Sequence, residues 1–259
     1  MITFAAITPH PPIMIPGIGS DEDRKKIKNT ISAMKKLREE LKEANPETLI
    51  VISPHAEMES QRFAINSASP LRGSFTNFGL DETYDFKNDF EAIDKIAYRA
   101  NLSEIEINLH GSFLDHGALV PLYYLTKNIK PKIVHLAFSM LDMKTHFEYG
   151  KILSQMCCEG NKKIAIIASG DLSHRLTPDA PAGYSEKGKE FDEKLINLLK
   201  TAKTREILNF DENLVEEAGQ CGLRSIAILL GALEGKYEFN LLSYEGPFGV
   251  GYMVASLKP

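Results

Sequence analysis

Features that define several large classes of proteins are missing from this sequence of 259 residues. No apolar run approaches the roughly 20 residues of a membrane-spanning helix, so we expect no membrane partner. The N-terminus lacks the basic flank and the apolar core of a secretory signal. The only cysteines are Cys221 and the adjacent pair Cys157 and Cys158, which do not suggest a disulfide framework. We therefore expect a protein of the reducing cytoplasm.

An excess of positive charge and the common nucleotide motifs are also missing. The net charge is −5, which argues against a general nucleic-acid partner. The sequence contains no Walker motif and no G-x-S-x-G elbow. Gly246, Gly249 and Gly251 stand in the order G-x-x-G-x-G with no helix after them. We interpret them as a tight turn between two strands rather than as a phosphate-binding loop.

The pattern that is present is typical of an α/β protein. Apolar residues make up 43% of the chain and charged residues 25%, and predicted strands alternate with predicted helices. This alternation predicts a single domain over residues 1–259, with a mostly parallel or mixed central sheet flanked by helices. A helix over Asp21–Ala44 connects the first two strands, which we expect to be parallel and adjacent. Ser67–Asn88 is polar and irregular and predicts a long loop, either a lid or a surface excursion.

Three short apolar runs are each followed within a few residues by a histidine, at His10, His55 and His174. Asp171 stands three residues before the last of them. The sequences of buried parallel strands are continuous apolar runs. Ligands of open α/β sheets bind beyond the carboxyl ends of such strands. We therefore expect the three histidines to converge at one edge of the sheet.

His10 and His55 are the first candidate metal ligands. Each lies beside proline, in Pro9-His10-Pro11 and Pro54-His55, and proline stiffens the loop that carries the imidazole. Rigidly held neutral imidazoles suit iron, zinc and copper. The alternative is that both are hydrogen-bonded loop residues without an ion.

Three further residues are candidates for catalytic steps. His174 can serve as a ligand or as a general acid and base, because an unperturbed imidazole titrates at about pH 6.5. Asp171 can orient a neighbouring imidazole, or it can cap a helix or a turn. His116, in Asp115-His116-Gly117, can donate a hydrogen bond to a substrate oxygen, or it can simply begin a helix.

A further ligand can come from Cys221 or from Glu217. Cys221 directly precedes Gly222–Leu233, which we predict to be an interior helix, and a thiolate is a soft metal ligand. Glu217, four residues earlier, is the harder oxygen donor. Cys221 can also be a small buried apolar residue. Of the remaining histidines, we place His135 in the core and His146 on the surface.

Six short motifs give the sequence a resemblance to the class III extradiol ring-cleavage dioxygenases, the relatives of the catalytic β subunit of protocatechuate 4,5-dioxygenase. The sequence also resembles the Memo-like proteins, including the AmmeMemoRadiSam system protein B group, which share that fold. The motifs follow the family's order along nearly the whole chain, and they are Thr8-Pro9-His10-Pro11-Pro12, Ser53-Pro54-His55-Ala56, Leu114-Asp115-His116-Gly117, Ser169-Gly170-Asp171-Leu172-Ser173-His174, Ala218-Gly219-Gln220-Cys221-Gly222 and Gly246-Pro247-Phe248-Gly249-Val250-Gly251-Tyr252.

The resemblance implies a LigB-like fold and a role for each matching residue. His10 and His55 match the two histidines that bind iron(II) in the dioxygenases. His174 matches their catalytic acid and base, and His116 matches a histidine that contacts the substrate. The dioxygenases carry a glutamate ligand at the position of Cys221, whereas Memo-like proteins carry a cysteine there and an aspartate like Asp171 before the catalytic histidine.

The resemblance leaves two functions open. The first is a metal-dependent extradiol-type dioxygenase that acts on a catechol-like or aminophenol-like aromatic with dioxygen. The second is a Memo-like metal-binding or redox protein without ring-cleaving activity, acting with a partner protein or as a homo-oligomer. Iron(II) is the expected metal of the first, and zinc or copper are alternatives because a cysteine ligand is softer than a carboxylate. A zinc-dependent hydrolase is a third reading, for which the sequence offers no additional motif.

Overall fold

A mixed sheet of eight strands forms the centre of the protein, and the computed structural model describes every residue from 1 to 259. The strands, in chain order, are β1 (Ile2–Thr8), β2 (Thr48–Ser53), β3 (Phe63–Asn66), β4 (Leu71–Ser74), β5 (Thr83–Phe86), β6 (Ile107–His110), β7 (Lys132–Ala137), β8 (Ile164–Ser169), β9 (Glu238–Glu245) and β10 (Tyr252–Lys258). Strands β4 and β5 pair only with each other, as a separate antiparallel hairpin.

Helices connect the strands and cover both faces of the sheet. In chain order they are α1 (Asp21–Lys26), α2 (Lys28–Ala44), α3 (Phe90–Leu102), α4 (His116–Leu125), α5 (Met143–Cys158), α6 (Glu186–Lys200), α7 (Thr204–Leu208), α8 (Glu212–Ala218) and α9 (Leu223–Ala232). None of them combines the length and the apolar character that crossing a membrane requires.

The order of the sheet is β6-β3-β7-β2-β8-β1-β10-β9. Its four central strands, β7, β2, β8 and β1, are mutually parallel, whereas β3 and β10 flank them in the antiparallel direction. The predicted α/β class and the mixed sheet are therefore confirmed. Thr8 pairs with Ser169 and Ile52 pairs with Ala168, so the carboxyl ends of β1, β8 and β2 lie in one row.

The apolar runs of the central strands are explained by cover on both faces. Ala5 and Ile7 of β1 belong to a core shared with α3, α5, α6 and α9. Phe4 and Ala6 of the same strand face the other way, into a core shared with α2 and α4. Because successive side chains of a strand point to opposite faces, a strand covered twice must be apolar at every position.

The prediction that β1 and β2 are adjacent is wrong, although they are parallel as expected. Strand β8 lies between them and pairs with both. A crossover helix sets the relative direction of two strands, but it leaves room for a strand from later in the chain to pair between them. The insertion places the segment after β8, with Asp171 and His174, between the loops that carry His10 and His55.

The prediction of an irregular loop over Ser67–Asn88 is also wrong, because this stretch contains the β4–β5 hairpin. Its strands have only four residues each, and only Leu71 and Gly73 of them are buried. The sequence therefore shows no apolar alternation long enough to reveal them. Phe75, fully buried between the two strands, fixes the hairpin to the body of the protein.

Two predictions for individual histidines have opposite outcomes. His135 is buried in β7, as predicted, whereas His146 is fully buried and its predicted surface position is wrong. The His146 ring packs edge-on against Phe63. Its Nδ1 donates to the Asp142 carbonyl at 2.7 Å, and its Nε2 accepts from the Ser139 backbone N–H at 3.4 Å. The backbone thus satisfies an imidazole that amphipathic periodicity had assigned to solvent. The predicted interior helix at α9 and the glycine-rich turn before β10 are both confirmed.

The helix predicted over Asp21–Ala44 is interrupted at Ile27, which is buried and lies between α1 and α2. A new helix start leaves backbone N–H groups without partners. Here Glu245, from the end of β9, accepts hydrogen bonds from the Thr30 backbone N–H and the Thr30 hydroxyl, each at 2.7 Å. A distant carboxylate therefore caps α2, and no local sequence signal could indicate it.

We predict that Glu245→Ala lowers the free energy of unfolding by about 1–2 kcal/mol, the usual cost of losing a helix cap. Glu238→Ala is the matched control, because Glu238 lies at the other end of the same strand and is exposed. It should change stability by less than about 0.5 kcal/mol. Urea denaturation followed by far-ultraviolet circular dichroism measures both, and equal losses for the two variants would contradict the capping role.

Candidate metal centre

His10 and His55 meet at the carboxyl edge of the sheet. Their Nε2 atoms lie 3.0 Å apart, and their rings meet edge to face with centroids 4.9 Å apart. His10 is buried, whereas His55 is exposed. The pair therefore has one side in the protein and one side open to a ligand from solvent.

A hydrogen-bonded relay fixes the tautomer of His10. The Ser169 hydroxyl donates to the Gly117 carbonyl at 2.6 Å, so its oxygen is left to accept from His10 Nδ1 at 3.0 Å. The Nδ1 atom must then carry the proton, and the Nε2 lone pair faces His55. Metal-binding histidines are commonly held in this way by a hydrogen bond from the other ring nitrogen.

The spacing of the two imidazoles fits a shared metal ion. Imidazole nitrogens bind first-row metals at about 2.1 Å, and two such bonds to atoms 3.0 Å apart enclose roughly 90° at the ion. That angle is the one between neighbouring ligands of an octahedral ion. Burial, followed by the neighbouring His55, holds the pKa of His10 well below its ordinary value, so this ring is neutral and able to bind a cation.

His116, at the start of α4, completes a cluster of three histidines whose ligand atoms all lie within 4.8 Å of one another. Its ring stacks on His55, with centroids 4.3 Å apart. Burial, with a smaller contribution from His55, lowers the pKa of His116 to about 4. The structure therefore places a neutral imidazole beside the two candidate ligands, where it can bind an ion or contact a substrate.

Asp115 links the pieces of the sheet edge that carry these rings. Its carboxylate caps α4 by accepting from the Ala118 backbone N–H, and it also accepts from the Ser53 hydroxyl at 2.5 Å and from His135 Nε2 at 3.0 Å. Burial acts to raise the pKa of Asp115, but the hydrogen bonds from His135 and Ser53 outweigh it and hold the pKa below its ordinary value. The ionised carboxylate thus joins β2 and β7 to the start of α4.

Cys221 reaches the same centre from the loop before α9. Its Sγ lies 3.8 Å from His10 Nε2 and 3.9 Å from His174 Nε2, and it accepts from the Asp171 backbone N–H at 3.3 Å. This approach requires a glycine at position 170, because a Cβ there would come within 2.1 Å of the Gly222 Cα. Burial, and then the charge of Asp171, raise the pKa of the Cys221 thiol.

Asp171 and His174 both border the candidate ligands. One Asp171 oxygen accepts from the His10 backbone N–H at 3.0 Å, and the other lies 3.8 Å from His10 Nε2. Burial raises the pKa of Asp171 to about 7, against the effect of the His10 hydrogen bond. His174 is half-buried, and burial followed by His55 lowers its pKa. The centre thus contains a carboxyl group that titrates near neutral pH and an imidazole that burial keeps in its neutral form there.

The structure places Glu217, the alternative ligand, in a different set of contacts. Its carboxylate accepts from the Ser185 hydroxyl at 3.1 Å and lies 3.7 Å from Arg175, with 44% of the side chain exposed. The residue helps to join α8 to the start of α6. Cys221, and not Glu217, lies within 4 Å of the His10 ring.

Sequence reasoning missed the residues that hold the imidazoles in place. Ser169 and Ser53 are the last residues of β8 and β2, and Asp115 contacts His135 across β7. Each serine is the first residue of its loop motif, which is a signal that could have indicated supporting roles. The contact between Asp115 and His135 joins residues 20 apart, and no pattern in the sequence marks it.

We predict that Asp115→Asn lowers the free energy of unfolding by about 2 kcal/mol at pH 7, because an amide replaces a carboxylate that accepts charge-assisted hydrogen bonds. Asp142→Asn is the matched control. Asp142 caps α5 through Thr145, and asparagine caps a helix as well as aspartate does. Chemical denaturation of both variants measures the difference. If Asp115→Asn proved as mild as the control, Asp115 would be a helix cap and nothing more.

Comparison with known proteins places this centre in context. A solved structure of the protein JW3007 from Escherichia coli K12 has the same fold, with a TM-score of 0.73, 18% identity and 99% of both chains covered. A curated protein of Clostridium acetobutylicum, CA_C1420, is 37% identical over 97% of this chain, and the chain spans 56% of that protein's length.

Two relatives carry more informative names. The 3,4-dihydroxyphenylacetate 2,3-dioxygenase of Escherichia coli is 26% identical, over 82% of this chain and 83% of its own length. A MEMO1 family protein of Methanosarcina mazei is also 26% identical, over 83% of this chain and 85% of its own length. The family model described as the catalytic LigB subunit of aromatic ring-opening dioxygenase matches residues 4–255. Because this match runs from within β1 to within β10 and includes all of the candidate centre, the chain belongs to the LigB family.

Proposed function

We propose that the protein is a metal-dependent dioxygenase of the extradiol type, acting on an aromatic ring with two adjacent hydroxyl groups or a hydroxyl beside an amine. Dioxygen is the second substrate, and both of its atoms enter the ring-opened product, so no external reductant is needed. The chain's membership in the LigB family and its similarity to a catechol dioxygenase support this reaction class.

The observation that carries the proposal is the 3.0 Å approach of His10 Nε2 to His55 Nε2 at an open sheet edge. Two neutral imidazoles held this way suit a cation with free positions for a ligand. Cys221 is the third ligand that we propose, because its Sγ lies beside His10. Burial raises the pKa of the thiol, and a bound cation would lower that pKa and favour the thiolate. Iron(II) is the proposed metal, and zinc and copper suit the same donors.

When bound, the metal supplies Lewis acidity that favours the ionised form of the substrate's hydroxyl groups and brings the two substrates together. The chain's own residues do the rest. His174 takes the proton from a substrate hydroxyl and later returns one to an oxygen of the product. His116 hydrogen-bonds the substrate, and Asp171 holds the loop of His10 through its backbone N–H. A buried thiol at this position also favours a reducing compartment such as the cytoplasm.

The second candidate is a Memo-like metal-binding or redox protein without ring cleavage. The observation that favours it is Cys221 itself, since a cysteine replaces the carboxylate of the 2-His-1-carboxylate set that non-haem iron(II) oxygenases use. The similarity to MEMO1 family proteins agrees with this reading. Copper, or zinc, is the metal expected for a centre of this type.

Anaerobic metal analysis, followed by oxygen uptake with a panel of catechols and aminophenols, separates the two candidates. Iron with uptake that depends on the aromatic supports the dioxygenase. Copper or zinc, with no uptake from any member of the panel after reconstitution with iron(II), supports the Memo-like protein and contradicts the proposed reaction.

We predict that His174→Ala keeps the bound metal but lowers the turnover of any substrate found by about 100-fold or more, the usual contribution of a general acid and base. His10→Ala is the comparison, and it should lose the metal itself. Metal content by elemental analysis and oxygen consumption by electrode measure the two effects separately. Loss of metal in His174→Ala would instead make His174 a ligand.

A further inference from the structure

The tip of the β4–β5 hairpin brings an aromatic ring to the metal centre. Phe78 lies in the turn between the two strands, and its ring meets His116 edge to face with centroids 5.4 Å apart. His116 in turn stacks on His55. The rings of His55, His116 and Phe78 are therefore in contact one after another, and both end members of this series are partly exposed to solvent.

The base of the hairpin is joined to the segment that carries His116. The Leu114 backbone N–H donates to the Arg72 carbonyl at 2.7 Å, and Gly73 and Leu114 form a parallel bridge. Arg72 also pairs with Asp85 across the hairpin, through bonds of 2.7 and 2.8 Å. The position of the hairpin is thus fixed only two residues before His116.

The tip is held independently of Phe78. Phe75 is fully buried and packs edge to face against Tyr84 and Tyr123. Leu80 packs against Gly17, in the loop after His10. A Cβ added to Gly17 would lie only 3.2 Å from a methyl carbon of Leu80. The tip therefore spans the loops of His10 and His116, and it does not need the ring of Phe78 to stay in place.

Phe78 keeps 38% of its large apolar surface exposed, beside the open side of the candidate ligands. The rings of Phe78 and His116 meet edge to face and together form a small aromatic surface. Aromatic rings favour such edge-to-face and offset contacts with other rings. An exposed ring beside open metal ligands suits an occupant that is flat and aromatic.

We propose that Phe78 is a specificity-determining residue that packs against the ring of the aromatic substrate and selects it over non-aromatic oxygen donors. This inference rests on the proposed function, because it requires an aromatic ligand at the metal centre. It assigns the β4–β5 hairpin a part in substrate recognition, with the ring supplied by a turn whose sequence, Thr76-Asn77-Phe78-Gly79, has no catalytic group.

The test compares two probes on the anaerobic iron(II)-loaded chain. The first is 4-nitrocatechol, an aromatic diol whose absorption changes when it binds a metal. The second is acetohydroxamate, which binds metals through two oxygens but has no ring. The variants are Phe78→Ala, Phe78→Tyr, which keeps the ring, and Phe90→Ala as the matched control, since Phe90 is a comparably exposed phenylalanine at the start of α3.

Phe78→Ala should weaken the binding of 4-nitrocatechol by about tenfold, while the Kd of acetohydroxamate and the metal content stay at wild-type values. Phe78→Tyr and Phe90→Ala should bind both probes within about twofold of wild type. These results together would establish the role of the ring.

Other outcomes overturn the inference and can be told apart. If Phe78→Ala binds 4-nitrocatechol as well as wild type does, the specificity role is wrong and the proposed function stands. If the variant loses metal, or loses both probes equally, Phe78 only supports the centre. If the wild-type chain binds acetohydroxamate but not 4-nitrocatechol, the proposed function fails and the inference fails with it.

Discussion

The approach of His10 Nε2 to His55 Nε2, at 3.0 Å, is the contact on which the rest of the centre depends. Ser169 holds the proton of His10 on Nδ1, so a lone pair faces the second ring. Such a contact is favourable only when His55 contributes a proton or when a cation lies between the two nitrogens. Burial disfavours charge on His10. A metal ion between the two nitrogens, as we propose, would satisfy both lone pairs without a charge on the His10 ring itself.

The pairing of the sheet at this edge holds the rings of His10 and His55 next to each other. Pairing of β8 with both β1 and β2 aligns the three strand ends, and the cores on both faces leave the central strands no freedom to slip. Asp115 then couples the end of β2 to α4 and His116, while the contact of Gly170 with Gly222 admits Cys221. Each of these contacts joins parts of the chain that are far apart in sequence, and their convergence is what turns single histidines into a centre.

The sequence predicted the α/β class and the edge at which His10 and His55 lie, because continuous apolar runs identify buried parallel strands and fix where they end. It could not predict that β8 lies between β1 and β2, since strand order follows from long-range pairing that leaves no local pattern. The sequence did not predict the β4–β5 hairpin, because its strands are short and only partly buried. The position of Phe78, in the turn of that hairpin, was therefore not predicted either. His146 was assigned to the surface because helical periodicity ignores the Asp142 carbonyl and the Ser139 backbone N–H that satisfy a buried imidazole.

The most direct measurement of the central claim is iron K-edge X-ray absorption on the chain reconstituted anaerobically with iron(II). Shared coordination by His10, His55 and Cys221 predicts outer-shell scattering from two imidazoles bound at about 2.1 Å, together with one sulfur at about 2.3 Å. A first shell made only of oxygen atoms, with no imidazole scattering, would contradict the account.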